Sequence, residues 1–156
     1  MGPNTSTNRH SGVYCKKMSE ARGNSTVQIS DDDLLYRRFY YKSVRRDGSI
    51  TPAAYTLPRT TIPDPEISVD LVRLTTPART LGAVDKSVFG LGELKAGDVR
   101  KLGFTVRHQP IEENRAQGIE ENPAHCLIEG VKTEEDCDHL SEITCVHTLP
   151  SRKSRA

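Results

Sequence analysis

The sequence predicts a single small α+β domain with a mixed, mostly antiparallel sheet, short helices and a C-terminal helix. Three observations support this fold class. The chain has 156 residues, which is the length of one domain. Several short segments alternate apolar with polar residues, as strands do, and others carry the start and stop signals of helices. No repeat of the length found in solenoids or propellers recurs along the sequence.

Charge and composition restrict the class of protein. The 22 Lys and Arg residues balance 21 Asp and Glu residues, so the formal net charge is +1. This balance excludes a histone-like polycation or an acidic-tail protein. No segment approaches the roughly 20 apolar residues needed to cross a bilayer, and the first thirty residues lack the apolar segment of a secretory signal. We expect a soluble cytoplasmic protein whose four cysteines remain thiols.

The two ends of the chain differ in composition from its middle. Residues 1–29 are rich in Ser, Thr, Asn and Gly, and their apolar residues are too scattered to form one face of a helix or strand. They are predicted to be a disordered leader, in which Met18 offers an alternative start. Residues 30–149 are predicted to form the single α+β domain, and residues 150–156 are predicted to form a disordered tail.

Five segments predict strands, because β-branched and aromatic residues are concentrated in them and turn residues bound them. The first is followed by Asp47 and Gly48, and the glycine suits the positive φ of a tight turn. The polar residues 109–123, which include two Glu pairs, predict a surface excursion. The predicted strands cover residues 34–44, 67–74, 88–94, 104–108 and 124–131.

Three segments predict helices. Thr76 supplies a capping hydroxyl before Pro77, which costs no hydrogen bond in a first helical turn, and Gly82 and Gly103 can end the first two segments. Thr133 and Asp136 have the spacing of a capping box. The predicted helices cover residues 77–82, 96–102 and 134–147, and the last of these has a modestly apolar face that can pack on the sheet.

Residues 36–46 combine aromatic rings with positive charge. The segment holds four of the eight aromatic residues and five Lys or Arg side chains, a mixture that can stack bases and neutralise phosphates. Nucleic-acid binding is therefore one alternative function. A strand also needs aromatic residues on its buried face, and the ten acids in residues 112–142 can neutralise these cations. The candidate binding residues are Arg37, Arg38, Tyr40, Lys42, Arg45 and Arg46.

Residues 125–147 concentrate thiols and imidazoles, which are ligands that zinc prefers. The spacing is Cys-x-His twice, and residues two apart on a helix point to nearly opposite sides. We therefore expect buried thiols and surface imidazoles, with no bound metal. In the zinc alternative, the ligands would come from Cys126, Cys137, His139, Cys145 and His147.

Arg37, Ser68 and Glu129 lie on three predicted strands in the order Arg, Ser, Glu. This order resembles the scattered catalytic triad of ADP-ribosyltransferase-type folds. The resemblance implies an enzyme that uses NAD as its cofactor. The arginine would hold the NAD phosphates, the serine would brace the site, and the glutamate would stabilise the ribose oxocarbenium ion. This enzyme alternative requires the three side chains to converge in one cleft.

Three tetrapeptides form a second pattern, with LYRR at residues 35–38, ISVD at residues 67–70 and NPAH at residues 122–125. Together they resemble a pattern in a family of small bacterial proteins to which no activity is assigned. The resemblance covers most of residues 34–131. It implies a compact bacterial domain and leaves the function open.

The function favoured by the sequence is a non-catalytic binding or accessory module that acts with a larger protein partner. Positive charge in residues 36–46 and negative charge in residues 112–142 are separated along the chain, and this polarity suits electrostatically steered docking. Such docking requires the two segments to lie more than a Debye length, about 10 Å, apart on the folded surface. No cofactor is expected for this function; NAD or zinc belongs to the alternatives.

Overall fold

The computed structural model of the chain describes residues 26–82 and 84–152, so the predicted leader and tail lie largely outside the described residues. Within the described residues, the chain forms six strands and three short α-helices, which confirms the α+β class. The strands are β1 (Leu34–Tyr40), β2 (Ile67–Leu71), β3 (Phe89–Lys95), β4 (Thr105–His108), β5 (His125–Glu129) and β6 (Cys145–Thr148). The helices are α1 (Pro77–Leu81), α2 (Ala96–Lys101) and α3 (Glu134–Glu142). The strands form one antiparallel sheet in the order β4-β5-β2-β1-β3-β6.

Two predicted helix caps are present. The Thr76 hydroxyl accepts a hydrogen bond from the Arg79 N–H at 3.2 Å, and Pro77 follows at the first helical position. In the predicted capping box, Thr133 Oγ1 accepts from the Asp136 N–H at 3.1 Å, and Asp136 Oδ2 accepts from the Thr133 N–H at 3.0 Å. These bonds fix where α1 and α3 begin. Across the described residues, no helix has the length and apolar character needed to span a membrane.

The last helix is shorter than predicted. It ends at Glu142, and β6 occupies most of the remaining predicted helical segment, which extends to residue 147. Four of the six residues 143–148 are β-branched, which favours an extended chain. β6 also gains backbone hydrogen bonds by pairing with β3 at the sheet edge. The strand predicted at residues 124–131 corresponds to β5 and is the last one predicted. The structure adds a further strand, β6, after it.

β1 is also shorter than predicted. It ends at Tyr40, and Tyr41–Ser43 form a 3-10 turn, whereas the predicted strand extends to residue 44. The predicted tight turn follows, with Gly48 at φ 86° and an isolated antiparallel bridge between Val44 and Ile50. β1 itself pairs with β2 and β3 in the middle of the sheet. Its side chains are therefore placed to reach both faces near the centre of the molecule.

The two faces of the sheet are covered differently. On one face, Leu35 of β1 belongs to the main hydrophobic core, together with residues of α2, α3 and the 3-10 turn Pro52–Tyr55. We call this the core face. On the other face, Tyr36 packs with Leu81 of α1 and Leu91 of β3 in a small second cluster. We call this the α1 face.

Residues 26–29, which the sequence assigns to the leader, contact the folded part. The Val27 N–H donates to His108 Nδ1 at 2.8 Å, and the Ile29 side chain is buried in the main core. The Arg100 guanidinium donates to the Ile29 carbonyl at 2.8 Å. β4 and α2 therefore hold this segment against the sheet.

Candidate functional site

A cleft of about 990 Å³ opens beside the α1 face. Its wall includes residues from β1, β2 and α1, and from the exposed loop at residues 109–123 that the sequence predicts as a surface excursion. The volume is at the upper end of the range for ligand pockets, which is about 300–1,000 Å³. We call it the α1 cleft. Its polar lining residues are Arg38, Asp70, Thr75, Arg79, Thr80, Glu113, Glu120, Glu121 and Asn122.

The alternation of side chains along β1 and β2 places Arg38 and Asp70 on the α1 face. Tyr36 and Asp70 are partners in the pairing of β1 with β2, so they share a face of the sheet. Arg38 follows two residues after Tyr36, and its guanidinium carbon is 5.7 Å from the centroid of the Phe89 ring. Arg38 is exposed, whereas Asp70 is buried. The two strands therefore bring one cation and one buried carboxylate to the cleft.

Asn122 connects the surface loop to β2. Its Nδ2 donates to Asp70 Oδ1 at 2.9 Å, and its Oδ1 accepts from the Ala124 N–H at 3.1 Å. Its backbone also exchanges hydrogen bonds of 2.8 and 2.9 Å with Ile111 across the loop. These bonds satisfy an oxygen of a buried carboxylate and hold the loop at the mouth of the cleft.

Carboxylates outnumber guanidinium groups in the α1 cleft. Four acids and two cations leave a formal charge of −2. This distribution differs from the predicted separation of charge, because Arg38 of the basic segment shares the cleft with acids of the surface loop. The polarity that the sequence predicts between residues 36–46 and 112–142 therefore does not hold at this site. The acids are Asp70, Glu113, Glu120 and Glu121, and the cations are Arg38 and Arg79.

Ser68 and His125 form a hydrogen-bonded pair on the α1 face, next to Asp70 on the paired strands. His125 Nδ1 is 2.7 Å from the Gln109 carbonyl oxygen, and His125 Nε2 is 3.2 Å from Ser68 Oγ. Because a carbonyl oxygen only accepts, Nδ1 carries the proton of a neutral His125, and Nε2 accepts from the Ser68 hydroxyl. A hydroxyl that donates to an oriented imidazole has the arrangement of a nucleophile with its base.

Arg37 lies on the core face, because it is two residues after Leu35 on β1. Its Nε donates to the Ala54 carbonyl at 3.0 Å, and its Nη1 donates to the Ser68 carbonyl at 2.9 Å. Its guanidinium carbon is 5.6 Å from the centroid of the Tyr55 ring. Burial lowers the pKa of the Arg37 guanidinium, although such a group remains charged in proteins. Arg37 therefore joins β2 to the 3-10 turn below the sheet.

The three residues of the predicted ADP-ribosyltransferase triad have different surroundings. Arg37 reaches the backbone of Ser68 from the core face, whereas the Ser68 hydroxyl bonds to His125 on the α1 face. Glu129 forms an ion pair with Arg107 of β4 at 2.7 Å. Ser68 and Glu129 share the α1 face, because Ser68 pairs with Leu127, two residues before Glu129. Arg37 lies on the opposite face, so the three side chains do not converge in one cleft.

The candidate nucleic-acid-binding residues are divided among several surfaces. Arg37 lies on the core face, whereas Arg38 and Tyr40 lie on the α1 face, because neighbouring side chains on a strand alternate. The Tyr40 ring packs on Phe89 across the β1–β3 pair, with 5.4 Å between centroids. Beyond the end of β1, Lys42 is exposed, and the arginines at positions 45 and 46 line a separate pocket.

The candidate zinc ligands are also dispersed. Cys126 and Cys137 are buried in the main core, and burial raises the pKa of the Cys126 thiol to about 12. Cys145 and His147 lie on the edge strand β6, and His139 lies on α3. Among residues 26–82 and 84–152, no three His, Cys, Asp or Glu side chains are grouped so that they could hold a metal ion.

The sequence patterns do not predict the α1 cleft or the Ser68–His125 pair. One local pattern does mark the wall of the cleft, because Asn122 and Pro123 indicate a turn immediately before a predicted strand. No comparable pattern marks Arg79, which reaches the cleft through the position of α1. In comparisons with known proteins, no family model, no curated protein and no solved structure matches this chain.

Proposed function

We propose that this protein is a binding module that holds a segment of a larger protein partner in the α1 cleft. The excess of carboxylates favours a segment rich in Lys or Arg, because complementary charges steer association and exclude wrong partners. The two cleft arginines favour an acidic side chain within the same segment. The expected occupant is therefore a predominantly basic peptide segment that also contains Asp or Glu.

The observation that carries this proposal is the placement of four acids and two arginines around one opening of about 990 Å³. Arg79, Glu120 and Glu121 are exposed, so they remain accessible to a partner, whereas Glu113 is paired with Arg115 at 3.0 Å. Asp70 is buried, and a buried carboxylate is stabilised further by a positive charge that reaches it. A partner Lys or Arg that enters the cleft would supply this charge.

Site-specific photo-crosslinking in the cells that produce the protein tests this function. A benzoylphenylalanine residue replaces Glu120, which lines the cleft, and in a matched control it replaces Glu135, which is exposed on α3. We expect a discrete crosslinked partner from position 120 that is absent from position 135. We also expect Glu121→Lys to reduce this crosslink by about tenfold, because it places a like charge against a basic segment.

Three outcomes of the same experiment would contradict the proposal. One is the absence of a crosslinked species at position 120. The others are the same set of species at both positions and a crosslink that Glu121→Lys leaves unchanged, because both of these indicate nonspecific contact. Thermal melting of each variant verifies that the domain is folded.

A second candidate function, acyl transfer, is favoured by the Ser68–His125 pair. In this reaction Ser68 Oγ attacks the carbonyl carbon of an ester, and its proton passes to His125 Nε2. The ester C–O bond breaks, and the leaving alkoxide takes that proton. Water then hydrolyses the acyl-serine, with the same imidazole as general base. The Gln109 carbonyl, 2.7 Å from Nδ1, holds the imidazole in the tautomer that this step requires.

Labelling with a fluorophosphonate tests the second candidate. Ser68 Oγ would attack the phosphorus, fluoride would leave, and His125 would take the proton, so peptide mass spectrometry should find the adduct on Ser68. We expect His125→Ala to slow labelling by about a hundredfold or more. Ser87→Ala, a change at a serine outside the pair, should label like the wild type. Absence of a Ser68 adduct, or equal labelling of His125→Ala, would exclude this function.

A further inference from the structure

A second pocket, separate from the α1 cleft, lies beyond the end of β1. It has a volume of about 370 Å³ and is formed by the segment that follows β1 together with the residues that follow β6. The two segments are brought together because the Tyr41 N–H donates to the Val88 carbonyl, and the Arg152 N–H donates to the Ser87 carbonyl, each at 2.7 Å. We call it the arginine pocket.

Positive charge predominates in the arginine pocket. Arg45, Arg46 and Arg152 line it, against the single carboxylate of Asp47 among its lining residues. Asp47 Oδ1 accepts hydrogen bonds from the Ser49 hydroxyl at 2.6 Å and from the Ser49 N–H at 2.9 Å. These bonds lower the pKa of Asp47 and direct this oxygen into its own turn. The formal charges of the lining side chains therefore sum to +2.

Contacts with the rest of the protein hold Arg45 and Arg152 in place. Arg45 Nη1 donates to the Ile50 carbonyl at 3.0 Å and to the Ser49 hydroxyl at 3.4 Å. The guanidinium carbon of Arg152 lies 4.8 Å from the centroid of the Tyr41 ring. A guanidinium that lies over an aromatic ring keeps its N–H groups at its planar edge, where they can bind an anion bidentately. Such fixed groups lose less side-chain entropy when they bind a ligand.

The remainder of the pocket wall is apolar. Val44, Leu149 and Pro150 line it beside the Tyr41 ring, and Leu149 is 54% exposed. A small inorganic anion would leave this apolar surface in contact with water. A ligand that joins an anionic group to a flat apolar ring would cover it and gain hydrophobic free energy.

We propose that the arginine pocket binds a ligand that combines a phosphate monoester with an aromatic ring. The phosphate would be held by Arg45 and Arg152, and the ring would pack against Leu149 and Pro150. Phosphotyrosine carries the phosphate on the ring itself, and a mononucleotide joins the phosphate to its base through a ribose, so both combine the two groups. This site uses none of the residues that line the α1 cleft, so it stands independently of the proposed function.

Isothermal titration calorimetry of the full chain with phenyl phosphate tests this proposal. We expect saturable binding with a Kd below about 1 mM, and weaker binding of inorganic phosphate, which lacks the ring. Arg45→Gln and Arg152→Gln should each weaken phenyl phosphate binding by about tenfold, because each removes a charge-assisted bond. Parallel titrations with AMP and with phosphotyrosine identify the natural source as the ligand that binds more tightly.

Arg115→Gln is the matched control, because it removes the same charge from an exposed site outside the pocket. It should leave the affinity unchanged. The proposal is wrong if phenyl phosphate does not saturate the protein or if inorganic phosphate binds equally well. It is also wrong if Arg115→Gln weakens binding as much as the pocket variants do. Melting temperatures of the variants verify folding, and retained stability with lost binding supports a ligand site.

Discussion

Arg37 has a guanidinium group whose hydrogen bonds join two segments that are distant in sequence. It donates to the carbonyl groups of Ala54 and Ser68, and it lies over the ring of Tyr55. Tyr55 is fully buried, and burial raises the pKa of its hydroxyl to about 12. The Arg37 guanidinium thus donates to two backbone carbonyls beside an apolar core, so Arg37 has a structural role.

We predict that Arg37→Met destabilises the protein by about 2–4 kcal/mol, because methionine fills similar space and leaves two carbonyl acceptors without their charged donor. Urea denaturation followed by circular dichroism measures this change. Arg38→Met is the control. Arg38 is exposed, so this substitution should change the free energy of unfolding by less than about 0.5 kcal/mol. Equal stability of the two variants would contradict the structural role of Arg37.

Residue type alone does not distinguish an arginine that stabilises the fold from an arginine that is available to bind a partner. The sequence places Arg37 and Arg38 in one basic segment and nominates both as binding residues. A strand directs adjacent side chains to opposite faces, and the distinction depends on which face α2 and α3 cover. That information comes from long-range packing, which a local pattern does not contain.

At the scale of single elements, the start of α3 depends on the pair Thr133 and Asp136. The Asp136 carboxylate accepts hydrogen bonds from the N–H groups of Lys132 and Thr133. These bonds, of which the one from Lys132 has the larger effect, hold the pKa of Asp136 below its usual value of 3.8. The folded state therefore binds this proton less readily than the unfolded state. The resulting stabilisation is fully present above about pH 5, and it is lost as the pH falls below 3.8 through the lowered pKa.

We predict that Asp136→Asn lowers the free energy of unfolding by about 1 kcal/mol at pH 7. The difference from the wild type should shrink as the pH falls below 3.8 through the lowered pKa, because the wild-type carboxyl group becomes protonated there. Urea unfolding at a series of pH values measures both quantities. Glu135→Gln removes a neighbouring charge outside the capping box and should change stability by less than about 0.5 kcal/mol. A difference that stays constant with pH would contradict this account of the cap.

Helix starts could be predicted better than helix ends. Thr76 and Thr133 are local signals, since a capping hydroxyl bonds to an N–H three residues away. The end of α3 depends instead on whether residues 143–148 find a strand to pair with. β3 supplies that edge, although it lies about fifty residues earlier in the chain. The conversion of a predicted helical turn into β6 is therefore a tertiary effect.

At the scale of the whole molecule, the sheet order explains why the α1 cleft was not predicted. The sequence could predict the α+β class, because strand and helix signals are local. The cleft, however, combines β1, β2, α1 and the loop at residues 109–123, which become neighbours when β2 pairs with both β1 and β5. Charges that are separated along the chain, such as Arg38 and Glu120, thereby come to line one opening.

We propose that the α1 face is the binding surface and that the core face serves the fold. Amide chemical-shift mapping of the isotope-labelled chain, titrated with a synthetic peptide of the segment crosslinked at position 120, tests this proposal. We predict shifts at Asp70, Arg79 and Asn122, with little change in α2 and α3. Shifts concentrated on α2 and α3, or none at saturating peptide, would contradict the claim.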